Sequence, residues 1–148
     1  MNYSKMSSQY KRSNIETAGK LDLIIMCYDH AILFLKQAKN DIENKDYYKK
    51  GQRIKKVLGI INELQSCLDM EKGGLIARNL DSIYSYMTNR IVVADIHKNT
   101  SGFTECIGIL EELKGAWVEI SQTQRTEQPP VPVRNYDSAS MERMAASA

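Results

Sequence analysis

The two histidines and their neighbours are the first residues in this 148-residue sequence with the potential for catalysis. Di-iron proteins built on four helices need Glu-x-x-His motifs that point into the bundle. Cys27 stands three residues before His30, and Ala94 stands three residues before His97, so the motif does not occur. The sequence therefore predicts no metal site and no catalytic residue of this type.

Phosphoryl transfer to a histidine is the second chemistry considered, and it needs an exposed helical histidine with a lysine close behind. The next lysine after His30 is Lys36, nearly two turns away. We therefore interpret His30 as a partly buried structural residue and His97 as a cation near a helix C-terminus. The sequence contains no Walker loop, GxGxxG, GxSxG or HExxH motif, so we expect no cofactor and no enzymatic activity.

Composition and charge are those of a globular protein without a strong electrostatic preference. Hydrophobic residues make up 43% of the chain, charged residues 26%, and the net charge is +2. The basic run from Lys49 to Lys56 follows the acidic stretch DIENKD, so we do not expect nucleic acid as a partner.

The cysteines and the apolar runs indicate the cellular compartment of the protein. Three cysteines without a CxxC pair favour buried thiols in a reducing compartment. The polar N-terminus has no apolar signal region, and the longest apolar run covers only residues 23–28. We expect a cytoplasmic protein without membrane insertion.

Helical spacing is what positions these residues. Apolar residues recur three and four positions apart in four segments, and no proline occurs between residues 20 and 124. The pattern predicts an all-α fold, an antiparallel up-down four-helix bundle with helices at 20–43, 47–70, 74–97 and 101–124. The third segment places Ile76, Leu80, Ile83, Met87, Ile91 and Ala94 on its core face.

The remaining segments have less regular patterns. Residues 1–19 form a predicted N-terminal cap segment, with Tyr3, Met6, Tyr10 and Ile15 on one side. Residues 125–148, which contain all three prolines, lack periodicity and are predicted to be a disordered tail. In LDMEKGG, residues 68–74, we expect Gly73 to end the second helix and Gly74 to reverse the chain.

Three stretches in order resemble the flagellar secretion chaperone FliS family, the chaperones dedicated to flagellin. The most specific is LDMEKGGLIARNLDSIYSYMTNRIVVADI, residues 68–96, with its EKGG turn and its tyrosine-containing YSYM. TAGKLDLIIMCYDHAILFLKQA, residues 17–38, is similar to the first helix of the family, and ILEELKGAW, residues 109–117, to the last. The sequence departs from the family at Gly19–Lys20, where Ser-Pro is common, and at His30, where glycine is usual.

The resemblance implies a function. A member of the family would bind the C-terminal segment of flagellin in the cytoplasm, prevent its premature polymerisation and deliver it to the flagellar type III export gate. The alternative is a helical regulatory adaptor that binds another flagellar protein, such as an anti-sigma factor or a co-chaperone.

The candidates for contact with this partner are mainly apolar residues outside the predicted core faces, together with Met87 from the third segment. The family resemblance assigns Tyr10 to a cap that covers the groove and moves when flagellin binds. The full predicted set of groove and cap residues is Tyr10, Ile15, Ile60, Leu75, Tyr84, Met87, Val92 and Ile109.

Overall fold

Four α-helices account for the residues that the computed structural model describes, which are 16–126, with side chains described for 19–123. Helix α1 spans Glu16–Glu43, α2 spans Tyr47–Ser66, α3 spans Met70–His97 and α4 spans Thr100–Thr126. Residues 16–126 contain no β-strand. The predicted all-α class and four-helix bundle are confirmed.

The helices form a ring in which α1 packs mainly against α2 and α4, and α3 packs against α4 and α2. Lys50, near the start of α2, pairs with Asp95, near the end of α3, at 2.5 Å. Gln65, near the end of α2, donates a hydrogen bond of 2.8 Å to Asp81 in the first half of α3. Because the start of one helix lies beside the end of the next, α2 and α3 run in opposite directions.

The core is a single apolar cluster between the four helices. From α1 it takes Tyr28 and Leu35, and from α4 it takes Phe103 and Leu110, all fully buried. Each of the four predicted seams supplies core residues. Burying each large apolar side chain stabilises the fold by about 1.5–3 kcal/mol, so these seams supply most of the driving force.

Three polar groups meet inside this apolar core. The hydroxyl oxygens of Tyr28 and Tyr84 lie 2.5 Å apart, and Nε1 of Trp117 donates to the Tyr28 hydroxyl at 3.1 Å. The contacts join α1, α3 and α4 across the centre of the bundle. A buried hydroxyl without a partner is unfavourable by about 1–3 kcal/mol. Here the two tyrosine hydroxyls and the indole N–H each have a hydrogen-bond partner within the core.

The core face of α3 differs from the prediction at two positions. Ile76 is 49% exposed and Ile83 is only partly buried, while Ala77 and Tyr84 are buried in their place. The other four predicted core residues, Leu80, Met87, Ile91 and Ala94, are buried, so the change is confined to these two positions. Tyr84 can occupy the core because its hydroxyl is satisfied by Tyr28.

The turn between α2 and α3 also differs from the prediction. The chain reverses at Cys67–Leu68, ahead of the glycines, and Asp69 caps α3 by accepting hydrogen bonds from the backbone N–H groups of Glu71 and Lys72, each at 3.1 Å. Such a cap stabilises a helix start by about 0.5–2 kcal/mol. Gly73 lies buried within the first turn of α3 rather than ending α2.

Gly74 breaks the regular conformation of α3 one turn after its start. Its φ of 56° and ψ of −133° lie outside the helical region, and this backbone conformation favours glycine. The helix therefore consists of a short first turn and a long second part that begins at Leu75.

The other two turns use left-handed residues and polar caps. Lys45 (φ 59°) precedes Asp46, whose side chain accepts from the backbone of Lys49 at 3.2 Å. Lys98 (φ 53°) ends α3, and the Asn99 side chain accepts from the backbone N–H of Ser101 at 3.0 Å. Asn99, the residue before α4, therefore caps the start of that helix.

Candidate partner-binding surface

Helix α3 carries more exposed large apolar side chains than any other helix of the described chain. Leu75 and Ile96 are 70% and 69% exposed, and Tyr86, Val92 and Val93 are each exposed by more than a third. Leu75 and Ile96 are three times seven residues apart, and Tyr86 and Val93 are seven apart, so each pair recurs near the same side of the helix. We call these five residues the α3 apolar surface.

A shallow groove runs along one edge of this surface, between α2 and α3. Its volume is about 510 Å³, and its lining residues are uncharged: Leu58, Asn62, Gln65, Ser85, Thr88, Asn89 and Val92. Gln65 donates hydrogen bonds from Nε2 to Asp81 Oδ1 and to Ser85 Oγ, each at 2.8 Å. These bonds hold the two walls together, and Val92 connects the groove to the α3 apolar surface.

A charged cluster forms the opposite edge, where α3 meets α4. The Tyr86 hydroxyl donates to Glu105 Oε2 at 2.5 Å, and Arg90 Nε donates to Glu105 Oε1 at 2.7 Å. The two bonds hold the pKa of the Glu105 carboxyl below its usual range, with the Tyr86 bond the larger cause. Tyrosine and arginine are the residue types that most often anchor a protein interface, and both stand here at the rim of an apolar surface.

The structure places the predicted groove residues on different edges of the bundle. Leu75 and Val92 belong to the α3 apolar surface. Ile109 is partly buried on α4, one turn after Glu105 and therefore near the α3 edge. Ile60 is partly buried on α2, seven residues after Arg53, which faces α1 through its bond to Asp41. The set does not form one continuous groove.

Two of the predicted groove residues belong to the core instead. Tyr84 and Met87 are fully buried, so their side chains do not reach a partner bound on the outside of the bundle. Tyr84 is buried in place of Ile83 because its hydroxyl has a partner in Tyr28, and Met87 occupies the core-face position that the apolar spacing of α3 predicts. The cap residues Tyr10 and Ile15 lie outside the described residues.

The sequence reasoning also missed exposed apolar residues. Ile96 was not recognised, although its seven-residue spacing from Asn89, Ser82 and Leu75 would have placed it on the outer side of α3. On α1, Met26 and Leu33 are exposed as well, seven residues apart, so α1 is less enclosed than its apolar composition predicts.

The structure describes the surroundings of the residues with catalytic potential. His30 is exposed rather than partly buried, and its ring centroid lies 6.2 Å from that of Phe34. Burial raises the pKa of the Cys27 thiol to about 11, with smaller contributions from Cys67 and Glu63. Among residues 16–126 there is no group of three or more histidine, cysteine or acidic side chains arranged to hold a metal ion. None of the described helices is long and apolar enough to span a membrane.

The fold and surface define a class: a four-helix bundle with an apolar outer face on its third helix. The family model described as "Flagellar protein FliS" matches residues 2–124. The chain belongs to the FliS family of flagellar proteins.

Relatives with established names agree with this assignment. The flagellar secretion chaperone FliS of Vibrio cholerae is 36% identical over 118 residues, which cover 80% of this chain and 85% of the relative. The protein of the same name from Salmonella typhimurium is 36% identical over 74% of this chain and 82% of the relative. The flagellar secretion chaperone FliSB of Pseudomonas aeruginosa is 36% identical over 79% of this chain and 96% of the relative. These likenesses support an export chaperone role in flagellum biogenesis.

Proposed function

We propose that this chain is a cytoplasmic chaperone that binds the C-terminal segment of flagellin, prevents its premature polymerisation and delivers it to the flagellar export gate. The observation that carries the proposal is the α3 apolar surface on a member of the FliS family. The chaperone would act through binding alone, without catalysis or a cofactor. A co-chaperone or an anti-sigma factor remains a prediction for a second partner.

The energetics of binding a disordered segment favour a surface of this kind. Ordering each residue of such a segment is unfavourable by about 1–2 kcal/mol in backbone entropy. Each large apolar side chain that the segment buries returns about 1.5–3 kcal/mol. An elongated surface with apolar side chains at both ends, from Leu75 to Ile96, offers such contacts over about six turns of helix.

The two edges of the surface would add specificity. The uncharged groove beside α2 can accept hydrogen bonds from, and donate them to, a peptide backbone through its amide and hydroxyl side chains. The Tyr86–Arg90–Glu105 cluster on the other edge offers rings and charges. A segment that follows α3 would touch both edges.

Calorimetry with a peptide from the flagellin C-terminal region tests the proposal. We expect the natural chain to bind at micromolar concentration or tighter. Val93→Asp should weaken binding by at least about tenfold, which corresponds to about 1.4 kcal/mol, because it places a charge in the apolar contact. Its thermal unfolding should stay nearly unchanged, since Val93 is on the surface.

Leu33→Asp is the matched control. Leu33 is also exposed and apolar, but it lies on the outer face of α1. This variant should bind the peptide as tightly as the natural chain. Absence of binding by the natural chain at micromolar concentration would defeat the proposal, and equal weakening by the two variants would remove α3 as the binding surface.

A further inference from the structure

Two of the three cysteines in the sequence lie on neighbouring helices at the same level of the bundle. Arg53 of α2 donates to Asp41 of α1 at 3.0 Å, and this bond sets the alignment of the two helices. A short turn at residues 44–46 joins the helices, so they run in opposite directions. Cys27 stands fourteen residues before Asp41, and Cys67 stands fourteen residues after Arg53. Because positions seven residues apart recur near the same side of a helix, the two cysteines face each other.

Contacts between these two levels follow the same alignment. Halfway along the interface it places Phe34 opposite Ile60, and both side chains are partly buried against the core. Lys56 Nζ, one turn before Ile60, lies 5.3 Å from the centre of the Phe34 ring. Glu63 follows Lys56 by seven residues, and its charge acts on Cys27, which precedes Phe34 by seven. The alignment therefore holds from the Asp41 pair to the cysteine pair.

The two thiols share a partly open position at the rim of this interface. Cys27 and Cys67 are both free thiols of intermediate burial, and both pack against the core. The Cys67 thiol contributes to the raised pKa of Cys27, and such an effect requires the two groups to be close. Cys106 differs, since it is fully buried and its Sγ contacts the backbone oxygen of Met87 on α3.

Helix packing supplies the spacing that a disulfide needs. Packed helix axes are about 8–10 Å apart, and Cα atoms lie about 2.3 Å from each axis. Cα atoms that point straight at each other are then about 3.4–5.4 Å apart, and pairs toward the rim are further apart. A disulfide joins Cα atoms about 4.4–6.8 Å apart, so facing positions at the rim suit it. Cys67 directly follows α2, with φ of −92° and ψ of 0°.

We propose that Cys27 and Cys67 form a disulfide when the folded chain meets a low-molecular-weight disulfide such as glutathione disulfide. The Cys67 thiolate attacks one sulfur of glutathione disulfide, forms a mixed disulfide and releases one glutathione thiolate. The Cys27 thiolate then attacks the Cys67 sulfur and releases the second glutathione thiolate. Two protein thiols are oxidised, one glutathione disulfide is reduced, and the two protons pass to the released thiolates.

The environment of the thiols sets the order of these two steps. Burial raises the pKa of Cys27 to about 11, so this thiol is a poor first nucleophile at neutral pH. Its attack on the mixed disulfide is intramolecular, and a small thiolate fraction is enough for a step between groups already in position.

The bond would fasten the end of α2, and with it the turn that leads into α3, to the first half of α1. The cysteines are 40 residues apart in sequence, and a cross-link over such a loop restricts the unfolded chain. The oxidised chain should therefore unfold at a higher urea concentration than the reduced chain, and dithiothreitol should reverse the change. This cross-link concerns the bundle itself and does not depend on flagellin.

Mass spectrometry of the full chain, incubated with glutathione disulfide in buffer and in urea, tests the proposal. In buffer we expect the loss of two hydrogen atoms, and non-reducing proteolysis should give only the Cys27–Cys67 link. In urea the folded geometry is absent and loop length decides the pairing. Cys27 and Cys67 are 40 residues apart and Cys67 and Cys106 are 39 apart, so both links should form in similar amounts.

Two variants complete the test. Cys106→Ala is the matched control and should form the Cys27–Cys67 bond in buffer as readily as the natural chain. Cys27→Ser should stop at the mixed disulfide on Cys67. Helical circular dichroism should stay unchanged while the natural chain is oxidised.

Three results would overturn the proposal. The first is a folded natural chain that forms no internal disulfide. The second is a folded chain that links Cys67 to Cys106 as often as to Cys27. The third is a loss of helical signal during oxidation, because the bond would then require the bundle to open.

Discussion

At the scale of single residues, the contact between Tyr28, Tyr84 and Trp117 shows how polar groups are accommodated in an apolar core. The Tyr28 hydroxyl is close to both other groups, at 2.5 Å from the Tyr84 oxygen and 3.1 Å from the Trp117 nitrogen. All three side chains are buried. The Tyr28 oxygen is therefore shared by two hydrogen-bond contacts, and together they join α1, α3 and α4.

Tyr28→Phe should destabilise the chain by about 1–3 kcal/mol, because it removes the oxygen that both other groups contact and leaves the ring in place. The measurement is urea unfolding followed by circular dichroism. Tyr48→Phe is the control, since the Tyr48 hydroxyl accepts only an exposed bond from Gln52 at 3.2 Å, and its effect should stay within about 0.5 kcal/mol. Equal losses in the two variants would show that the buried hydroxyl is not important.

Tyr84 also shows why the sequence predicted the core face of α3 incompletely. On α3, Ile83 and Tyr84 are adjacent apolar residues. A core face that includes Ile83 and one that includes Tyr84 therefore fit the apolar spacing nearly equally. The partner that selects Tyr84 is Tyr28, 56 residues earlier, and no local pattern reveals that contact. Leu75 and Val92 were predicted as surface residues, and the structure leaves both exposed.

At the scale of elements, a close approach between helices fixes the start of α4 against the end of α3. A Cβ atom added at Gly102 would lie 2.5 Å from the Cβ of Ala94 and 3.2 Å from the guanidinium of Arg90. Gly102 is buried, and Ala94 has no longer side chain that can move aside. Glycine is required here by the contact rather than by its backbone angles.

Gly102→Ala should lower the free energy of unfolding by about 1–2 kcal/mol, as overpacking outweighs the gain in helix propensity. Gly108→Ala on the same helix is the control. Nothing lies within 4 Å of its added Cβ, so this variant should raise the free energy of unfolding by about 0.5–1 kcal/mol. Thermal or urea unfolding checks both, and a stabilised Gly102→Ala variant would contradict the tight contact.

Most helix boundaries were predicted from two features of the sequence, the apolar spacing and the absence of proline. The absence of proline and the apolar spacing placed all four helices within a few residues of their observed ranges, apart from the start of α1 and the turn at residues 67–69. At that turn the prediction relied on the glycine pair and placed the chain reversal at residues 73–74. The actual signal was Asp69, whose side chain caps α3 and satisfies two backbone N–H groups.

At the scale of the whole molecule, apolar surface is distributed unevenly around the ring of helices. The start and outer side of α3 carry most of the exposed large apolar residues, while α1 packs extensively against both of its neighbours. The sequence predicted the fold class because helical periodicity is a local property. It did not predict which side of the bundle stays uncovered, since that depends on how the four helices are arranged.

Because of its buried thiols, the folded chain should lose stability as pH rises into the alkaline range. Burial raises the pKa of Cys106 from its ordinary value of 9.0 to about 11, and Glu105 contributes to the rise. Between these values the unfolded chain loses a proton that the folded chain keeps. The contribution of the Cys106 thiol to the free energy of unfolding is therefore complete below pH 9. It is lost as pH rises toward 11, by at most about 3 kcal/mol.

Urea unfolding of the natural chain between pH 8 and pH 11 measures this slope. Cys106→Ala should flatten it, because the variant has no thiol to titrate at this position. At pH 8, the difference in free energy of unfolding between the variant and the natural chain measures the effect of the packing change alone. The same slope in the variant and the natural chain would show that Cys106 does not contribute.

The buried indole of Trp117 gives the chain a built-in optical probe. It is the one tryptophan in the sequence, it is 4% exposed, and its N–H is bound to the Tyr28 hydroxyl inside the core. Its fluorescence should shift to longer wavelength when the core opens to water and should change little when a ligand settles on the outside of α3. A single emission spectrum can thus distinguish a partner that leaves the bundle intact from one that pulls it apart.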